Sequence, residues 1–275
     1  MPGGSYSNGS GDFVDDDSVG QTADRTDVRL LNVPKVAPAH YDRNFIRNAV
    51  CELRFPTIFE IEDQRPPSGF WRTLRKDFPI HSVLNGVQVG PASMAKANAH
   101  QFTSKRSRWT VVLKPSSITL ETAQYDSFDE FEAQLRTVIA AAKHTIDSDF
   151  FTRIGLRYIN TLPCRPRDVA GWVNPVLVGP LVDGVFGDVD VHFQQIRGTT
   201  DCGGYLFQHG LGVDAGPGIG KEGYVLDFDF YREEVGVEDA LATVRRLHEL
   251  EFSMFSWALG DRAREYLAAK KGAIK

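Results

Sequence analysis

Cysteine is scarce in this 275-residue chain: Cys51, Cys164 and Cys202 are widely spaced, odd in number and form no C-x-x-C pair. That argues against a disulfide framework and fits reduced thiols in a cytosolic protein. No run approaches the ~20 apolar residues needed to cross a bilayer, and no basic stretch followed by an apolar one opens the chain as a secretory signal would. The expected location is therefore the cytoplasm, with no membrane partner. Catalytic signatures are missing too. There is no H-x-x-x-H, H-E-x-x-H or G-x-S-x-G, so nothing commits the chain to a reaction and no cofactor is implied. Excess positive charge is also lacking. The formal net charge is −5, and residues 1–27 account for it with six aspartates against Arg25. The remaining body is neutral and has no bulk cationic field for a phosphate backbone, although a local basic patch is compatible with it.

What is present is apolar: 42% of the residues are hydrophobic and 11% of the chain is aromatic, enough for a sizeable core. The length suits two domains or one large fold of two similar halves. Residues 1–27, rich in Gly, Ser and Asp, have almost nothing to bury, which predicts a mobile acidic tail. Residues 28–44, with Val33-Pro34 and Ala37-Pro38, predict an extended lead-in.

The clearest strand is Arg153-Ile154-Gly155-Leu156-Arg157-Tyr158-Ile159-Asn160. It has an echo 103 positions earlier, where Glu52-Leu53-Arg54-Phe55 matches Gly155-Leu156-Arg157-Tyr158. A second echo, offset by 106, pairs Leu120–Tyr125 with Leu226–Tyr231. Two echoes in one order point to a unit used twice.

Each half reads strand, short helix, three antiparallel strands, long helix. In the first half (28–148) a strand near 45–55 leads to a short helix with Ser68 as N-cap. Strands near 80–90, 99–114 and 117–125 follow. Ser127-Phe128-Asp129-Glu130 is a capping box, opening a helix with Phe128, Phe131, Leu135, Val138, Ile139, Ala142 and Ile146 on one stripe. In the second half (149–275) Asp168 is expected to cap a short helix carrying Val169 and Trp172. Strands near 185–197, 203–213 and 223–232 follow, then a helix from about Val237 burying Leu241, Val244, Leu247, Met254 and Phe255. The fold class is α+β: an internal tandem duplication of β-α-β-β-β-α units, with antiparallel sheets and long helices on one face. This order is similar to that of TATA-binding-protein-like tandem folds, a likeness of architecture that carries no function by itself.

Together the Ile154–Asn160, Glu52–Phe55 and Leu226–Tyr231 segments and Leu247-His248 resemble a sporadically distributed bacterial family of uncharacterised activity. Its members carry a glycine-leucine-arginine-tyrosine-isoleucine-asparagine strand, matched here by Gly155 to Asn160. The resemblance covers most of residues 45–268 and implies a fold and a bacterial origin, but no activity. The family's proline-isoleucine-x-glutamate lead-in is replaced by Phe45-Ile46-Arg47-Asn48.

Strand alternation puts Leu53, Leu156, Tyr158, Leu226 and Phe228 on the core face, so Arg54, Arg153, Arg157, Asp227 and Asp229 project from the open face. Glu121 is the expected first-half equivalent of Asp227. These groups either form cross-strand ion pairs or offer arginine forks to a carboxylate or phosphate of a partner. Asp188, Asp190 and His192 alternate along a predicted strand. With Asp227 and Asp229 nearby they are weak candidates for a hard-metal site. The loop Asp214–Glu222 looks phosphate-binding but has Ala215 and Glu222 where a P-loop needs Gly and Ser or Thr, and it joins two strands. Lys105, Arg106 and Arg108 around Trp109 offer charge and stacking to nucleic acid, or simply guard a strand edge. The resulting expectation is a non-enzymatic binding or adaptor protein of the bacterial cytoplasm, using the open sheet face or the cleft between halves, with a protein as its partner. The alternatives are a metal-dependent enzyme acting on phosphates or nucleotides, and a nucleic-acid-binding saddle.

Overall fold

The computed structural model describes residues 29–89, 94–165, 168–211 and 223–269. The acidic tail and the Asp214–Glu222 loop lie outside these residues. Among the described residues nine strands form one antiparallel sheet, accompanied by five α-helices.

The two sequence-echo strands lie at its centre. β1 (Ile46–Arg54) runs antiparallel to β6 (Phe150–Leu162). Outward from β1 come β5 (Ser117–Thr122), β4 (Thr110–Lys114), β3 (Met94–Thr103) and β2 (Ile80–Val89). Outward from β6 come β9 (Tyr224–Gly236), β8 (Gly204–Leu211) and β7 (His192–Thr199). The helices are α1 (Ser68–Leu74), α2 (Phe128–Lys143), α3 (Pro175–Val182), α4 (Ala240–Ala258) and α5 (Asp261–Ala268).

Alternation separates the faces. Cys51, Leu53, Ile154, Leu156, Phe228 and Phe230 are buried in one core with α2 and α4. Arg54, Arg153, Arg157 and Asp229 point the other way. Register partners share a face, and Leu53 lies opposite Ile154, so Leu53 and Leu156 are on the same side. α2 fills this core with Phe131, Leu135, Val138, Ile139 and Ala142 as its spacing predicts, and α4 does so with Val244, Leu247 and Met254.

The echoes behave differently. Glu52 and Gly155, equivalent in the first, are register partners at the seam. In the second, Leu120 lies opposite Cys51, but the echo counterpart of Cys51, Ile154, lies opposite Arg232 rather than Leu226. Leu226 sits six positions away. A shift by an even number of residues keeps every side chain on its face, so the likeness reports the face correctly and the rung wrongly.

Three local expectations change. The strand expected over 99–114 is two strands, broken by a turn at Ser104–Trp109 in which Ser107 has φ 52°. The first half therefore has four strands after its short helix. Among the described residues Asp168 caps no α-helix, and Val169 and Trp172 lie outside any. Instead Asn174 caps α3, accepting from the Val176 N–H at 3.0 Å, with Pro175 at the first turn. Ser68 is the first residue of α1, behind an N-cap Pro67. Ser127 does cap α2, its Oγ accepting from the Glu130 N–H at 3.3 Å. Glu130 does not complete the box, because its carboxylate takes both arms of the Arg108 fork at 2.7 and 2.6 Å.

The lead-in is a strap. The Leu31 N–H donates to the Thr199 carbonyl at 2.8 Å and the Val36 N–H to Ser253 Oγ at 3.1 Å. Tyr41 then stacks on Phe252 with centroids 6.3 Å apart before the chain enters β1. Among the described residues no helix is long and apolar enough to cross a membrane.

Candidate functional site

On the open face the structure brings the sequence candidates together, but satisfies them internally. Arg157 donates through Nε and Nη2 to Asp227 at 2.8 and 2.6 Å. Arg153 donates to both oxygens of Asp229 at 3.0 and 2.9 Å and to Glu52 at 3.3 Å, with its guanidinium 4.5 Å above the Tyr231 ring. Arg54 donates to Glu52 at 2.7 Å. Glycine at 155 makes this possible. A Cβ there would clash with Arg153 Nη1, so only a bare backbone lets the guanidinium lie flat along the strand. The bond to Asp227 makes the Arg157 proton harder to remove. Burial pushes the Asp229 carboxyl up, against the pull of Arg153. The expected arginine partner of Glu121 does not materialise, since Arg54 is engaged by Glu52. Glu121 is pushed up by its own burial, with Lys114 opposing.

The metal candidates do not converge. β7 begins at His192, so Asp188 and Asp190 precede the strand rather than alternating along it. His192 shares its face with Leu211 and hence with the helices, whereas Asp227 and Asp229 are on the open face. Among the described residues no group of three potential ligands is close enough to hold a metal ion. Near Trp109, Arg108 is spent on Glu130 while lying 5.5 Å from the Trp109 ring.

The opposite face offers more. Where α2 and α4 straddle the β1–β6 seam there is a cavity of about 450 Å³. Residues 125–132 wall it from the first half, and Tyr158, Asn160, Phe228 and residues 245–255 from the second; exposed Pro38–His40 of the strap form its rim. On α4, His248, Glu251, Phe252 and Phe255 recur at helical spacing and present one stripe to the cavity. His248 lies flat on Phe128, centroids 3.9 Å apart and planes 5° from parallel. Its Nδ1 is 3.2 Å from the Tyr158 hydroxyl, which also meets Tyr125. The Tyr125 and Tyr158 rings pack edge-on at 5.4 Å.

Glu251 is the anomaly. It is 1% exposed, and neither carboxylate oxygen has a hydrogen-bond partner among the described residues. Burial holds its carboxyl well above the usual carboxylate range, and Asp229 and Asp227 across the sheet add to the shift. The Tyr158 backbone amide opposes it, without reaching hydrogen-bond geometry. Burial also depresses His248 to about 4, so that ring is neutral near pH 7. Beside the cavity Arg245 is taken by Glu132, at 2.8 and 2.7 Å, in a bridge that joins α4 to α2; Arg136 bonds the same carboxylate.

Family models supply no match to this chain, and neither do curated proteins.

Sequence reasoning missed Glu251, although a signal was there. Val244, Leu247, Glu251, Met254 and Ala258 fall on one helical stripe, and four of the five are apolar. A carboxylate in a core position of such a stripe marks a group that is buried, paired or functional. The aromatic wall could not be anticipated, because Tyr125, Tyr158 and Phe228 come from separate strands and loops.

Proposed function

We propose that this is a non-enzymatic binding protein whose ligand enters the cleft between its two halves, on the helix side of the seam. One observation carries the reading: a buried carboxyl sits in the wall of the cavity, with neither oxygen partnered among the described residues. An unpaired buried polar group costs about 1–3 kcal/mol in proteins, a cost that persists where a bound group can pair with it. The volume falls in the range of small-molecule pockets, roughly 300–1,000 Å³, mostly apolar with few convergent polar groups. It suits a small ligand or a single side chain of a protein partner. The open face offers less, since Arg153 and Arg157 are already engaged.

The two walls come from residues 28–148 and 149–275, which we read as an internal duplication with a TATA-binding-protein-like order. The outward strand order from β1 and β6 and the Glu52–Gly155 pairing support that reading. The resemblance to the bacterial family adds a bacterial origin but no ligand.

The test is ligand-observed NMR with a panel of small amines, alcohols and carboxylic acids. Saturable binding is expected, removed by Ala39→Trp at the exposed rim and retained by Arg157→Ala, with the bound compound recovered unchanged. Binding that survives the rim substitution or follows Arg157 moves the site elsewhere. Chemical conversion of the compound overturns the non-enzymatic reading.

A further inference from the structure

We propose that the cleft is a receptor for a protonated amine, whose ammonium N–H groups bond the Glu251 carboxylate while the aromatic side chains flank its carbon chain. This names the ligand class of the site proposed above and rests on that reading.

Three features select a cation with N–H donors. Glu251 presents two acceptor oxygens without a partner among the described residues. A neutral donor satisfies one of them, whereas an ammonium carries up to three N–H groups and the compensating charge. The cavity lining adds four further carboxylates, Asp126, Asp129, Glu132 and Glu249, against one arginine, and that arginine is held by Glu132. An anion would enter against this field; a cation is drawn in by it. Finally, Tyr158, Phe228, Phe252 and Phe255 line the same cavity, and ring faces attract ammonium and bury alkyl chain.

Binding then carries a balanced exchange. In the empty cleft burial favours the neutral acid. When the ammonium arrives, the Glu251 O–H bond breaks, the proton leaves to bulk water, and the carboxylate and ammonium form an ion pair. No other bond changes. The titratable groups around the cleft come from every side. α4 contributes Arg245, His248 and Glu249, the segment leading into α2 contributes Tyr125 and Asp126, and α2 itself contributes Asp129 and Glu132. Below lie Cys51 on β1 and Tyr158 on β6, with Asp227 and Asp229 beyond the sheet. On the strap side are His40 and Tyr41.

The experiment uses the full chain and isothermal titration calorimetry. The probes are 2-phenylethylamine, its neutral counterpart 2-phenylethanol, and Nα-acetyl-lysine amide, which tests whether a lysine side chain of a protein supplies the amine. The expected result is tighter binding of 2-phenylethylamine than of the alcohol, by roughly tenfold or more. In buffers of different ionisation enthalpy the amine should expel up to one proton and the alcohol none. Glu251→Gln should abolish the amine preference and the proton release. If Glu251→Gln does not fold, the two-buffer measurement on the unaltered protein decides alone. Binding by acetyl-lysine amide and not phenylethylamine assigns the site to a protein's lysine; the reverse assigns it to a free amine, and either supports the proposal. Equal affinity for amine and alcohol, both blocked by Ala39→Trp, overturns the cation assignment and leaves the binding cleft standing. No binding of any probe to the unaltered protein overturns the proposal, and failure of the whole panel above would remove the cleft reading as well.

Discussion

Replacing Glu251 by methionine should make the empty protein more stable. Methionine has a similar length and is unbranched, so it fills the same space without a polar head. Glu251 is 1% exposed and both its oxygens lack a partner among the described residues. An unsatisfied buried polar group costs about 1–3 kcal/mol, so Glu251→Met should recover an amount of that order. For a chain of this size each kcal/mol moves Tm by about 2–4 °C, which makes the gain roughly 2–12 °C at pH 7. The pH dependence follows from the direction of the shift. Burial raises the Glu251 carboxyl above its ordinary 4.5, so between 4.5 and the raised value the folded state binds more protons than the unfolded one. The wild-type protein then loses stability as pH rises through that window, and below 4.5 it does not. The advantage of Glu251→Met should therefore be smallest near pH 4.5 and grow toward neutrality. His248, depressed to about 4, has the opposite sign, but it is present in both proteins and largely cancels in the difference. The assay is paired thermal melts from pH 4.5 to 8. A variant that melts at or below the wild type, with a pH-independent difference, would show that Glu251 has a partner and sink the orphan argument.

Arg157→Ala should cost about 1–2 kcal/mol in denaturant unfolding. It strands Asp227, which is 8% exposed, but the arginine itself is 44% exposed at its side chain, so the ~3–5 kcal/mol of a fully buried pair is too much. A loss below ~0.5 kcal/mol would mean that water replaces the guanidinium freely. Gly155→Ala should cost roughly 1–3 kcal/mol, because the new Cβ evicts Arg153 from Asp229 and Glu52. In an Arg153→Ala background the same substitution should cost far less, and equal costs would refute the steric account. Leu156→Ala and Leu53→Ala should each cost about 2–5 kcal/mol, as both side chains are fully buried on the helix face. A marked inequality would show that the two halves do not share the seam equally.

Much of the fold was legible along the chain. Period-two alternation placed Leu53, Leu156 and Phe228 on one face and Arg54, Arg153 and Arg157 on the other, because a strand has only two faces to choose between. The α2 stripe and its Ser127 cap were legible for the same reason: both are local patterns. The rung of Leu226 was not, since register depends on which strand pairs with which and where. Nor was the interruption at Ser104–Trp109, where a left-handed Ser107 turns the chain without a glycine to announce it. The expected grouping of Asp188 and Asp190 with His192 failed because the strand starts at His192, later than β-propensity alone suggested.

By itself, then, the sequence determined the α+β class, the order of most elements and the sidedness of the central strands. These follow from side-chain periodicity and capping chemistry, which act over a few residues. Only the tertiary structure decided that Arg153 and Arg157 are consumed by carboxylates, and that the cleft lies on the helix face. Both outcomes are set by separations in space between residues far apart in the chain. Glu251 and Tyr158 are 93 positions apart, and they wall one cavity because α4 packs across β6 and β9.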